Sequence, residues 1–205
     1  MYKLTNIMLQ HLEKNLIEFH KLFQGGRCQA WQLEELVAKA INSDFNAIDK
    51  AFWKGNGHDI EADISVGPFK ISVKSGTIKK NKQKQERLVI SGHRLGRFEG
   101  NLDLISEFLN SNEYLLISVP YFTTESENGK QHSYQLIYMN ADILKPSIWQ
   151  TKYSKKNKDK ISQYYSINEL NVLCSVNPSM SWQVWWEIPM QIIKNENKTR
   201  LIIVN

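Results

Sequence analysis

Asp59, Glu61, Asp63 and Ser65 alternate with Ile60, Ala62, Ile64 and Val66; after Gly67-Pro68, Lys70, Ser72 and Lys74 alternate with Phe69, Ile71 and Val73. Period-two alternation predicts two strands, and the Gly-Pro pair supplies the turn, so residues 59–74 read as a β-hairpin. Residues two apart on a strand share a face. If both apolar sets pack on one core, Asp59, Glu61, Asp63 and Lys74 share the opposite face. Carboxylates gathered beside an ammonium suit a hard divalent cation such as Mg²⁺, and such a centre activates water and stabilises charge developing on a phosphate. The same pattern also suits a plain cross-strand ion pair. The neighbouring segments favour the hydrolytic site.

The turn decides which acid meets the lysine. A loop centred between Val66 and Gly67 sets Asp59 opposite Lys74. A turn centred between Gly67 and Pro68 sets Glu61 opposite Lys74 and Asp63 opposite Ser72. Sequence leaves both registers open, and with them the choice between Asp59 and Asp63 as principal carboxylate.

The elements that must position this hairpin are legible as periodicities. Residues 5–23 carry Met8, Leu12, Leu16, Phe19 and Phe23 at helical spacing, ended by Gly25-Gly26. Residues 30–42 form a second helix with Leu33, Leu36, Val37, Ala40 and Ile41 in one stripe. Glu34 lies at the edge of that stripe and Glu35 points away. Residues 53–58 read as a loop feeding the hairpin. Leu88–Ser91 read as a third strand, 101–110 as a helix with Leu102, Ile105, Phe108 and Leu109 inward, and Leu115–Val119 as a buried strand. The core order is therefore α-β-β-β-α-β. Val119–Phe122 and Tyr134–Tyr138 suggest a further hairpin around a polar loop, and 151–160 an exposed lysine-rich loop. On a strand near 180–188, Trp182, Val184, Trp186 and Ile188 face one way and Trp185 the other.

Two short elements resemble the signature of the PD-(D/E)xK nucleases. His58-Asp59-Ile60 resembles the Pro-Asp-apolar element, and Ser72-Val73-Lys74 the (D/E)xK element. The resemblance spans roughly residues 30–120. It implies a restriction-endonuclease-like α/β (α+β) core, with a mixed central sheet flanked by helices and a β-rich C-terminal elaboration. The expected arrangement is a single nuclease domain over 1–205, its catalytic core at about 27–122 and its extension at about 123–205. His58 stands where the family has Pro, and Ser72 where it has a second acid. Some restriction enzymes of this family have serine there and take the missing carboxylate from elsewhere; Glu61, Asp63, Glu34 and Glu86 are available here. The family often places a metal-binding glutamate on the helix before the hairpin, and Glu34 is the better placed of the two. The resemblance thus implies Asp59, Asp63, Glu61 and Glu34 as Mg²⁺ ligands, and Lys74 and Ser72 as further catalytic positions. It also implies hydrolysis of phosphodiester bonds to 5′-phosphate and 3′-hydroxyl ends.

Charge supports an anionic partner. Between residues 70 and 97 lie Lys70, Lys74, Lys79, Lys80, Lys82, Lys84, Arg87, Arg94 and Arg97 against the single acid Glu86, a sharper asymmetry than the net +5 of the 205-residue chain. Lys79, Lys80, Lys82, Lys84, Arg94 and Arg97 are the expected DNA contacts. The combined expectation is a Mg²⁺-dependent, sequence-specific endonuclease of double-stranded DNA, similar to type II restriction enzymes. Cutting both strands of a symmetric site calls for a homodimer. Rival expectations are a structure-specific or repair nuclease of the same fold, and a DNA-binding protein with a degenerate site. Two cysteines make neither a disulfide framework nor a zinc site. That points to a reducing, cytoplasmic setting. No apolar run reaches membrane-spanning length. No signal peptide is read at the N-terminus. No Gly-rich phosphate loop suggests a nucleotide cofactor.

Overall fold

The computed structural model describes residues 2–23, 26–55, 62–111, 113–126, 129–195 and 199–204. Its helices are α1 (Asn6–Leu22), α2 (Ala30–Asn42), α3 (Leu102–Ser111) and α4 (Met190–Asn195). Its strands are β1 (Ala51–Trp53), β2 (Ile64–Val66), β3 (Phe69–Lys74), β4 (Thr77–Lys80), β5 (Glu86–Arg94), β6 (Leu115–Ser118), β7 (Tyr121–Ser126), β8 (Gly129–Asn140), β9 (Gln150–Tyr153), β10 (Ile161–Ile167), β11 (Leu173–Asn177), β12 (Gln183–Pro189) and β13 (Thr199–Val204). The chain is a mixed α+β protein with two sheets, and it divides into two compact units. Neither unit is continuous: one comprises Met1–Ser75, Tyr114–Met139 and Lys198–Asn205, the other Gly76–Glu113 and Asn140–Asn197. Among the described residues no helix is long and apolar enough to cross a membrane.

The first unit carries the sheet β1-β2-β3-β6-β8-β13, with β7 paired to β8. β1, β2 and β3 form an antiparallel meander, and β6 runs parallel to β3. Parallel neighbours are buried on both faces, and all of β6 is buried. The helices cover the sheet through their apolar stripes. Met8, Leu12 and Leu16 of α1 and Leu33, Val37, Ala40 and Ile41 of α2 join Ile64, Val66, Ile71, Val73 and Ile117 in one core. Fully burying each of the Val, Leu, Ile and Met side chains among them contributes about 1.5–3 kcal/mol. Thr5 caps α1 by accepting from the Met8 N–H, and Gln29 with Gln32 forms a reciprocal cap on α2.

The far end of α1 is tied to β8 by an aromatic and imidazole cluster. His20 Nε2 lies 2.7 Å from Tyr134 Oη, and the His20 ring stacks on His132 at 4.1 Å between centroids. Burial, and then the neighbouring His132, lower the His20 pKa to about 4. The unfolded chain, with a histidine value near 6.5, therefore binds more protons than the folded one between those limits. Stability should be complete above about pH 6.5 and decline as pH falls toward 4, by on the order of 1–2 kcal/mol once solvent screening is allowed for. Urea melts across that range would show the midpoint dropping, and a His20→Gln variant would flatten the dependence. An unchanged slope in that variant would locate the proton elsewhere.

The second unit carries the antiparallel sheet β4-β5-β12-β11-β10-β9. Leu88, Ile90, Val184, Trp186, Ile188, Cys174 and Val176 form its buried face. α3 packs on that face: Phe108 meets His93 edge-on at 5.3 Å, and Ser106 Oγ accepts from the Trp149 indole at 2.6 Å. A bulge breaks the β5–β12 register between the pairs Arg94–Gln183 and Ser91–Trp185.

Four expectations change at this level. Leu88–Ser91 belongs to β5 in the second sheet, not to the hairpin's sheet. The third antiparallel strand of the first unit is instead β1, from a segment read as loop beyond Ala51-Phe52. Three residues are too few to display a period. The basic stretch after Lys74 is the hairpin β4–β5, whose turn is closed by Asn81 N–H donating to Gln85 O and by Gln85 N–H donating to Asn81 Oδ1. Part of the lysine-rich 151–160 segment is strand β9, paired with β10.

Candidate functional site

The hairpin register decides between the acids. Ile64 faces Ile71, Ser65 faces Lys70 and Val66 faces Phe69, so the turn centres on Gly67-Pro68 and Asp63 comes opposite Ser72. Gly67 sits at φ +53°, the left-handed region such a turn needs, and a Cβ there would collide with the Asp49 carboxylate. Asp63 is pinned at the mouth of the hairpin: its N–H donates to Ile71 O at 3.1 Å, and its carbonyl accepts from Lys54 N–H at 3.0 Å.

Four further side chains gather around Asp63 or its neighbours. Asp63 Oδ2 accepts from Val73 N–H at 2.6 Å, from Ser72 Oγ at 3.0 Å and from Lys74 Nζ at 3.0 Å. Its Oδ1 has only the longer contact to Lys74 Nζ, 3.4 Å. Ser72, 1 % exposed, thus serves as a donor that fixes Asp63. Glu34 enters from α2, buried as the stripe edge implied, while Glu35 is exposed. Trp53, at the end of β1, donates its indole N–H to Glu34 Oε2 at 2.9 Å. Burial raises the Glu34 pKa; the Trp53 bond opposes this, the Asp63 charge adds to the rise, and Lys74 subtracts. The mutual repulsion of Glu34 and Asp63 is what a bound cation relieves.

The residues fit a Mg²⁺ ion on these observations. Each carboxylate has one oxygen held by protein donors and a second oxygen without a hydrogen bond shorter than 3.4 Å among the described residues. Mg²⁺ needs only one or two carboxylates, since it keeps several waters and takes phosphate oxygens from its substrate. No group of three or more His, Cys, Asp or Glu that could hold a metal occurs among the described residues. Asp59 and Glu61 lie outside those residues. Glu86, the remaining substitute acid, is exposed on β5 of the second unit.

Trp53 and Ser118 were not singled out by the sequence. Trp53 gave no signal, because a lone tryptophan before a glycine-rich stretch reads as loop. Ser118 ends the apolar run of β6 in register with Lys74, on the strand beside it; its hydroxyl is fully buried and has no hydrogen-bond partner among the described residues. A serine closing an apolar parallel strand next to the (D/E)xK-like lysine was a usable clue. Such an orphaned hydroxyl costs about 1–3 kcal/mol unless water or substrate satisfies it.

The basic residues belong to the second unit. Lys79, Lys80, Lys82, Lys84 and Arg94 are exposed on or around the β4–β5 hairpin. Arg97 is exposed as well, and its guanidinium stacks over Phe98 and Phe108, 4.9 and 4.7 Å from the ring centroids. Compared with family models, with curated proteins and with solved structures, the chain gives no match.

Proposed function

We propose that the protein is a Mg²⁺-dependent DNA endonuclease of the PD-(D/E)xK type. The observation that carries this reading is the convergence of Asp63, Glu34 and Lys74, from hairpin and helix, on one partly buried site. The antiparallel meander β1-β2-β3, preceded by α2 and extended by a parallel β6, supports it as well. Asp63 and Glu34 would hold the ion. Bound there, Mg²⁺ would polarise the scissile phosphate and lower the pKa of water. Lys74 orients the attacking water and offsets charge gathering on the phosphate oxygens. Ser72 and the Val73 N–H hold Asp63 in place, and Trp53 holds Glu34. The products are 5′-phosphate and 3′-hydroxyl ends.

The first form of this reading is a type II restriction-like enzyme that cuts duplex DNA as a homodimer. A second form, a structure-specific nuclease, is favoured by two unpartnered aromatic side chains on the open sheet of the second unit. Plasmid digestion tests the reading. Cleavage is expected with Mg²⁺ and not with EDTA, and discrete bands from linear duplex mark the first form, cutting confined to branched or single-stranded regions the second. DNA binding with no cleavage under any divalent ion would reject the enzyme in favour of a DNA-binding protein with a degenerate site.

A further inference from the structure

The sheet of the second unit has one face that α3 leaves uncovered, and register fixes what it carries. Ser91, Trp185, Ser175, Tyr165 and Gln150 form one straight cross-strand row through β5, β12, β11, β10 and β9. Arg94 and Gln183 are paired on the next row, which continues through Asn177. Trp185 and Tyr165 are half-buried; along the row Trp185 lies between Ser91 and Ser175, and Tyr165 between Ser175, itself 3 % exposed, and Gln150. Trp185 differs from the other tryptophans whose indole N–H groups are engaged: Trp53 donates to Glu34, Trp149 to Ser106 and Trp186 to Leu144 O. Among the described residues neither the Trp185 N–H nor the Tyr165 hydroxyl meets a protein partner, and neither ring stacks on another. The two rings stand two strands apart, roughly 10 Å, so each can take its own base.

The rim of this face is cationic. Lys79, Arg87 and Arg94 lie on its β4–β5 side and Lys152 on its β9 side, against Glu187. Arg87 is itself braced by donating to Glu187 O and Asn171 O, at 3.2 and 3.0 Å. Flat aromatic rings on a sheet, amide side chains beside them and cations at the edges form a platform for nucleobases whose faces are free, with the backbone following the charged rim. Duplex DNA offers no free base faces to such a surface.

We infer that the open face of this sheet binds single-stranded DNA, with Trp185 and Tyr165 as base-stacking platforms and Arg94 and Lys152 as phosphate contacts. The surface is argued from the second unit alone; the choice of DNA over RNA rests on the nuclease reading. Fluorescence anisotropy of labelled oligo(dT), a duplex of equal length and oligo(U), all in EDTA, tests it on the full chain. Single-stranded DNA is expected to bind tightest. Trp185→Ala and Tyr165→Ala should each weaken that binding roughly tenfold and leave duplex binding unchanged, while Trp185→Phe retains most of the affinity. Circular dichroism checks that the variants fold, and quenching of tryptophan fluorescence by oligo(dT) should be smaller in Trp185→Phe. Equal affinity of wild type and both alanine variants for oligo(dT), or preference for duplex or RNA, would overturn the inference. Because no metal is present, loss of binding here and failure of cleavage are separate outcomes.

Discussion

Asp63→Asn is expected to lower Mg²⁺-dependent cleavage by roughly a thousandfold while leaving the fold and DNA binding nearly intact. The side chain does two jobs. Its Oδ2 anchors Val73 N–H, Ser72 and Lys74, and an asparagine oxygen can still accept from the first two. What the amide cannot do is bring negative charge to a cation or pair with the Lys74 ammonium. The structural cost is limited, because asparagine keeps the Val73 and Ser72 hydrogen bonds and the Lys74 side chain, 22 % exposed, still reaches water. The chemical loss is not bounded in that way, since charge stabilisation in the transition state acts at full strength; removing one such group commonly costs 10²–10³-fold, roughly 2.7–4 kcal/mol. Lys74→Met should lose activity by a comparable factor, with DNA affinity changed only a few-fold because one cation among several is removed. Steady-state cleavage of a labelled substrate and anisotropy in EDTA would separate the two effects. Wild-type rates in either variant would remove the residue from the site.

Gly92→Ala is expected to destabilise the second unit by about 2–4 kcal/mol, a large loss for the addition of one methyl group. A Cβ on Gly92 would overlap the six-membered ring of Trp186. The indole cannot move aside cheaply. It is 2 % exposed, it fills the buried face, and its N–H donates to Leu144 O at 3.1 Å. The glycine also sits at the β5 bulge, where the ladder to β12 changes step. Thermal or urea melts monitored by tryptophan fluorescence would register the loss. A variant that melts with the wild type would show that the ring has room the packing does not suggest.

How far the sequence reached depended on the length of each signal. α1 and α2 were legible from their apolar stripes, and the edge position of Glu34 was readable by angle alone. The hairpin turn was legible too, but its register was not. Both registers bury the same alternating apolar residues, so the pattern cannot distinguish them; the structure adopts the one that brings Asp63 to Ser72. β1 escaped because three residues cannot show a period. β5 was found as a strand but assigned to the wrong sheet, since nothing in Leu88–Ser91 encodes its partner; pairing with β12, about a hundred residues later, is a tertiary choice. The alternation that turned Trp186 inward and Trp185 outward was readable, and burial follows it. Trp182 precedes β12 at φ +56° and stacks on Tyr164, which is in register with Val176 and Val184 on the buried face.

The proposal that Glu34 and Asp63 share a cation beside Lys74 is open to direct measurement. Binding of Mn²⁺, followed by electron paramagnetic resonance on the full chain without DNA, should reveal a site in the wild type that Glu34→Gln and Asp63→Asn each weaken at least roughly tenfold. Binding that is identical in all three proteins would contradict it.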